Sequence, residues 1–165
     1  MAARFVGREV AALYTSDLCR ASQTAEPMER VLGLQAVPMK ELREIALGDW
    51  EGKRTQDLVD EYPELWAAWA TEPDWDIVPG GERAAHFERR VEATLAGMLA
   101  AHAGGEVVVV THGGVIQSAL AGVVGRHTRG VFPFVIHNAS LTVIQRFDAR
   151  TMVTAVNDTC HLGLE

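Results

Sequence analysis

His112 follows the apolar run Val107 to Val110 and precedes Gly113 and Gly114, so an imidazole stands where a buried strand hands over to a helix. Open α/β sheets bind ligands at such strand ends, and the first N–H groups of the helix attract anions. Gly113 allows close backbone approach, and its N–H could add a donor. The chemistry this suits is phosphate handling. Two stretches upstream carry the other groups it requires: Ser16-Asp17-Leu18-Cys19-Arg20-Ala21-Ser22-Gln23-Thr24-Ala25 and Leu42-Arg43-Glu44-Ile45-Ala46-Leu47-Gly48-Asp49-Trp50-Glu51-Gly52. An arginine presents a fixed, permanently charged fork suited to bidentate phosphate contact. The carboxyls Glu41, Glu44 and Glu51 are candidates for an acid that protonates a leaving oxygen.

The elements that must position these groups follow from periodicity. Ala11 to Tyr14 reads as a short strand, and Arg20 to Leu32 as a helix ended by Gly33. Pro27 inside it removes one backbone donor and is expected to kink it. Gln35 to Met39 is a second strand, placed at an edge by Pro38. Thr55 to Thr71 is helical, with Leu58, Tyr62, Leu65, Trp66 and Trp69 on one face, and Pro63 divides it. Glu72 to Gly81 is a loop, with Glu82 favouring the start of the next helix through the dipole. Glu82 to Ala103 is amphipathic helix, Val107 to Thr111 strand and Val115 to Val124 helix. Leu141 to Phe147 and Met152 to Val156 form a hairpin through Asp148-Ala149-Arg150. Strands alternating with helices predict one α/β domain over residues 1–165, with a largely parallel sheet and a small helical cap at about 52–81.

The three motifs, in this order, closely resemble the histidine phosphatase (phosphoglycerate mutase-like) superfamily. The resemblance spans Phe5 to about Leu162 and implies a three-layer sandwich with helices on both faces of the sheet. It implies that Arg20 binds phosphate, that Glu44 is the acid and base, and that His112 helps bind the phosphoryl group beside the nucleophile. Near a phosphate and an apolar cap the proton affinity of Glu44 would rise. The family opens with an interior strand and Arg-His-Gly, whose histidine attacks phosphorus. No Arg-His-Gly occurs here. The missing strand, loop and helix would be on the order of 40 residues, and Met1 to Val10 would be the end of that helix. Arg126-His127 is followed by Thr128 in a polar loop and is a poor substitute.

The implied activity of the complete protein is phosphomonoester hydrolysis through a phosphohistidine, on a small phosphorylated metabolite, without metal or organic cofactor. This chain is expected to be nearly inactive. The alternatives are a bisphosphoglycerate-dependent phosphoglycerate mutase, for which the span from Glu44 to Gly81 is short, and a non-catalytic phosphate-binding remnant. A cysteine-dependent phosphatase fails, because no arginine closes a loop begun at Cys19. Losing an interior strand forfeits roughly 10 kcal/mol of apolar burial, comparable with the ~5 to 15 kcal/mol stability of a domain. The exposed strand edges would let two copies pair as a homodimer.

Composition narrows the setting. A net charge of -7 argues against nucleic-acid binding and requires any phosphate site to gather positive charge locally. Arg20, Arg43, Lys53 and Arg54 are placed to do so. No apolar run is long enough to span a bilayer, and the N-terminus lacks the core of a signal peptide. Cys19 and Cys160 fit free thiols in a cytoplasmic protein. His86 and His102 do not by themselves make a metal site. Trp66, Trp69 and Trp75 either shape a substrate pocket or, the commoner role, pack the cap.

Overall fold

The computed structural model describes residues 1–127, 133–148 and 150–163. Its centre is a parallel sheet in which β1 (Ala12–Ser16) lies between β2 (Val37–Met39) and β3 (Val107–Val110). Tyr14 stands opposite Val37 on one side and Val109 on the other. Pro38 is on the edge strand, where its missing N–H interrupts no interior ladder.

The two-residue period of the strands sends successive side chains to opposite layers. Leu13, Val108 and Val110 face α1 (Cys19–Leu32), meeting Ala21, Ala25, Met28 and, from the short 3-10 turn Ala2–Phe5, Phe5. Tyr14 and Val109 face the other way, toward Phe87, Val91 and Met98 of α4 (Ala84–Ala101) and Val115 of α5 (Gly113–Val123). Helices therefore cover both faces, as a parallel sheet requires. Each fully buried Val, Leu or Phe contributes ~1.5 to 3 kcal/mol, and Leu13, Phe87 and Val91 are all in that class.

α1 continues through Pro27 and closes at Gly33. The carbonyl that Pro27 deprives of its helical N–H donor belongs to Gln23, an exposed residue on the side away from Ala21, Ala25 and Met28, so water is available to it. α4 is shorter than its apolar pattern, because Arg83 is extended and Asp76 Oδ1 accepts the N–H of Ala84.

The cap consists of α2 (Thr55–Glu61) and α3 (Pro63–Thr71), divided at Pro63 as the sequence predicts. Trp50, Leu58 and Val78 form its core, with Trp66, Trp69 and Trp75 packed around them. Trp66 stacks on Trp69 with ring centroids 5.4 Å apart; the tryptophans pack the cap. Below it, Asp49 N–H donates to the Pro79 carbonyl over 2.9 Å. Gly48 has φ +50, and a Cβ there would overlap the backbone of Pro79 and Gly80.

β4 (Leu141–Phe147) and β5 (Arg150–Asp158) make an antiparallel hairpin. Among the described residues it shares no ladder with β3, so the strands fall into two sheets. Ala149, within the predicted hairpin turn, and Thr128 to Gly130 lie outside the described residues. Leu141 packs on the α1-side core, and Arg4 pairs with Asp158 at 2.8 Å.

Candidate active site

The site forms where β1 and β3 end side by side. Ser16, the last residue of β1, is fully buried, and its Oγ lies 2.8 Å from Nε2 of His112. Leu18 N–H also donates to that Oγ at 3.3 Å. If Ser16 gives its own hydrogen to Nε2, the proton of the neutral ring sits on Nδ1. His112 is 8% exposed. Burial, and then the positive charges of Arg20 and Arg90, depress its pKa to about 4, so the ring is neutral at pH 7.

α5 begins at Gly113, two residues earlier than the apolar pattern suggests, and His112 occupies the position before it in extended conformation. The cap of this helix comes from elsewhere in the chain. Gly114 N–H donates to Glu44 Oε2 at 2.9 Å, and Ile45 N–H donates to Glu44 Oε1 at 3.1 Å. A carboxylate is well placed at a helix N-terminus, where the peptide dipoles and unpaired N–H groups favour negative charge. Gly114 makes the approach possible, since a Cβ there would overlap Glu44 Oε1. Gly113, by contrast, has open space on its Cβ side.

The structure therefore brings Glu44 to the turn that holds His112 and Gly113, although 70 residues separate Glu44 from Gly114 in the chain. Arg20 is exposed in the first turn of α1, near enough for its charge to act on His112. The other three cations expected to gather positive charge are committed to carboxylates. Arg43 binds both oxygens of Asp17 at 2.6 and 2.7 Å, Lys53 pairs with Glu61, and Arg54 pairs with Asp57. Asp17 is held below its ordinary range by this hydrogen bonding to Arg43. The expectation of a four-cation cluster is corrected on that account; among the described residues no carboxylate pairs with Arg20. His127 is 94% exposed and turns to Glu88.

Residues given no role in the site from the sequence complete it: Ser16, Thr111, Gly114 and the pair Arg90 and Glu82. Ser16 and Gly114 belong to the motifs already noted. Arg90 lies on the long helix, and nothing in its local sequence distinguishes it. His102 is bonded to the Tyr14 hydroxyl at 2.9 Å. Among the described residues no helix is long and apolar enough to cross a membrane.

The chain is 30% identical over 151 residues to phosphoserine phosphatase 1 of Hydrogenobacter thermophilus, covering 92% of this chain and 72% of that protein. It is 32% identical over 121 residues to the adenosylcobalamin/alpha-ribazole phosphatase of Escherichia coli, covering 72% and 59% respectively. The solved structure of Bacillus stearothermophilus YhfR superposes with a TM-score of 0.86 at 27% identity, over 98% of this chain and 80% of that one. The family model of the histidine phosphatase superfamily (branch 1) matches residues 1–159. On that match, the chain belongs to the histidine phosphatase superfamily.

Proposed function

We propose that the complete protein hydrolyses a small phosphomonoester through a phosphohistidine, and that these 165 residues supply everything except the attacking imidazole. The observation that carries this reading is the Glu44 carboxylate seated on the α5 N-terminus next to a buried, neutral His112. In the first half-reaction an imidazole nitrogen forms a bond to phosphorus while the ester P–O bond breaks. Glu44, protonated once the anionic substrate lies beside it, gives its proton to the departing alkoxide oxygen. Arg20, His112 Nδ1–H and the Gly113 N–H hold the phosphoryl oxygens. In the second half-reaction Glu44 takes a proton from water, whose oxygen attacks phosphorus. The P–N bond breaks, releasing phosphate.

No step calls on a metal or organic cofactor, and the setting is the cytoplasm. The separation of the hairpin from β3 supports a further extended strand between them, bearing the Arg-His-Gly loop. Without such a strand, turnover is near background and phosphate binds weakly, while the open edges favour pairing of two copies. The relatives carry both phosphatase and mutase names, and the short span from Glu44 to Gly81 favours hydrolysis over the mutase alternative.

Turnover of p-nitrophenyl phosphate and a panel of sugar, serine and glycerate phosphates tests this reading. The comparison is between this chain and one extended upstream through a strand and Arg-His-Gly. Activity confined to the extended chain, and lost with His112→Ala, is the expected result. Activity of the 165-residue chain that depends on another histidine would overturn it.

A further inference from the structure

Glu44 sits on a segment with little regular structure, Glu41 to Ala46, yet its carboxylate must meet one N–H of α5. Arg90 provides most of what holds the segment. Its Nη1 donates to the carbonyls of Glu41 at 2.8 Å and Arg43 at 2.9 Å, and its Nη2 donates to the carbonyl of Glu44 at 3.2 Å. The remaining edge of the guanidinium binds Glu82, Nε at 2.8 Å and Nη2 at 2.7 Å. Glu82 then fastens the far end of the segment, where its N–H donates to the Ala46 carbonyl at 2.8 Å and its Oε2 accepts from Ala46 N–H at 3.4 Å. Leu42, the carbonyl in between, accepts from Thr111 Oγ1 at 2.8 Å, one residue before His112.

We infer that Arg90, braced by Glu82, is the positioning residue that aims the Glu44 carboxylate at the α5 N-terminus. The inference rests on the proposed role of Glu44 as proton donor for its functional meaning, though not for its structural test. Only arginine has enough donors, because one planar group serves three carbonyls and a carboxylate, which a lysine ammonium cannot do. Both partners are largely withdrawn from water, with side chains 17% and 11% exposed. The guanidinium also lies over the Phe87 ring, 4.7 Å from its centroid. Burial pushes the Glu82 pKa up, and the hydrogen bonds from Arg90 and His86 outweigh this and hold it low. Neutralising either partner leaves the other buried without its main counter-charge.

Amide NMR on this 165-residue chain reads the effect without any need for turnover. Arg90→Lys and Glu82→Gln are compared with the parent through the Gly114 and Ile45 amides, which donate to Glu44, and the Leu13 and Val108 amides, which report the sheet. The expected result is a displaced Gly114 resonance with exchange about tenfold faster in Arg90→Lys, a smaller change of the same kind in Glu82→Gln, and Leu13 and Val108 unchanged. Gly114 and Ile45 signals identical to the parent in Arg90→Lys would overturn the inference. So would protection lost equally at all four amides in both variants, which is the mark of a residue that only stabilises the fold. Catalytic failure of the extended enzyme would leave this result standing, because no step of the measurement depends on phosphate chemistry.

Discussion

Ser16 Oγ and His112 Nε2 lie 2.8 Å apart, joining the ends of two adjacent parallel strands inside the protein. The contact fixes the imidazole plane and commits one ring nitrogen to the fold. On the proposed reading the other is left to contact the phosphoryl group.

A pH dependence of stability follows from this burial. The unfolded imidazole takes up its proton near the ordinary value of 6.5, the native one only near about 4. Between those values the unfolded state binds more protons, so stability is fully present above 6.5 and falls as pH drops toward 4. At ~1.4 kcal/mol for each tenfold change in proton affinity, the loss is ~3 kcal/mol. Urea unfolding across this window, with His112→Gln as reference, checks it: the variant should show a flatter profile.

Gly113→Ala and Gly114→Ala should separate sharply although the positions are neighbours. A methyl at 113 enters open space, whereas one at 114 overlaps the Glu44 carboxylate and breaks its bond to the helix. The first change is expected to be nearly neutral and the second to cost ~2 to 4 kcal/mol. Thermal melts of the two variants decide the matter.

Gly48→Ala should destabilise by ~2 to 5 kcal/mol, combining left-handed backbone strain with overlap on the Pro79 and Gly80 backbone. Gly52 also has positive φ, but a Cβ there meets nothing. Gly52→Ala should therefore cost less, and chemical denaturation of the two variants side by side isolates the contribution of the close approach.

Phosphate affinity should depend on Arg20 and not on Arg43. Arg20→Ala removes the cation whose charge reaches His112, with an expected loss of about tenfold or more. Arg43 is already neutralised by both oxygens of Asp17. Phosphorus NMR titration with inorganic phosphate should find Arg43→Ala within about twofold of the parent; equal losses would put Arg43 in the site.

Much of the fold was legible because its signals are local. Val107 to Val110 reads as strand from a run of four valines, and Pro63 and Gly33 end helices through their own backbone chemistry. The boundaries that moved did so for tertiary reasons. α5 starts at Gly113 because a carboxylate from residue 44 caps it, and α4 starts at Ala84 because Asp76 does the same there.

The sequence by itself determined which chemical groups are present: a strand-end histidine, a motif arginine, a glutamate between strand and cap, and no Arg-His-Gly. It also determined the α/β layering, since apolar period and turn residues act within a few positions. Only the tertiary structure decided how charges are spent. Arg43 stood beside Arg20 as a source of positive charge in the sequence, but its partner Asp17 lies 26 residues away in the chain. The same holds for Arg90, whose five hydrogen bonds reach residues 41, 43, 44 and 82. Long-range partners of this kind are chosen by folding in three dimensions, and no local pattern encodes them.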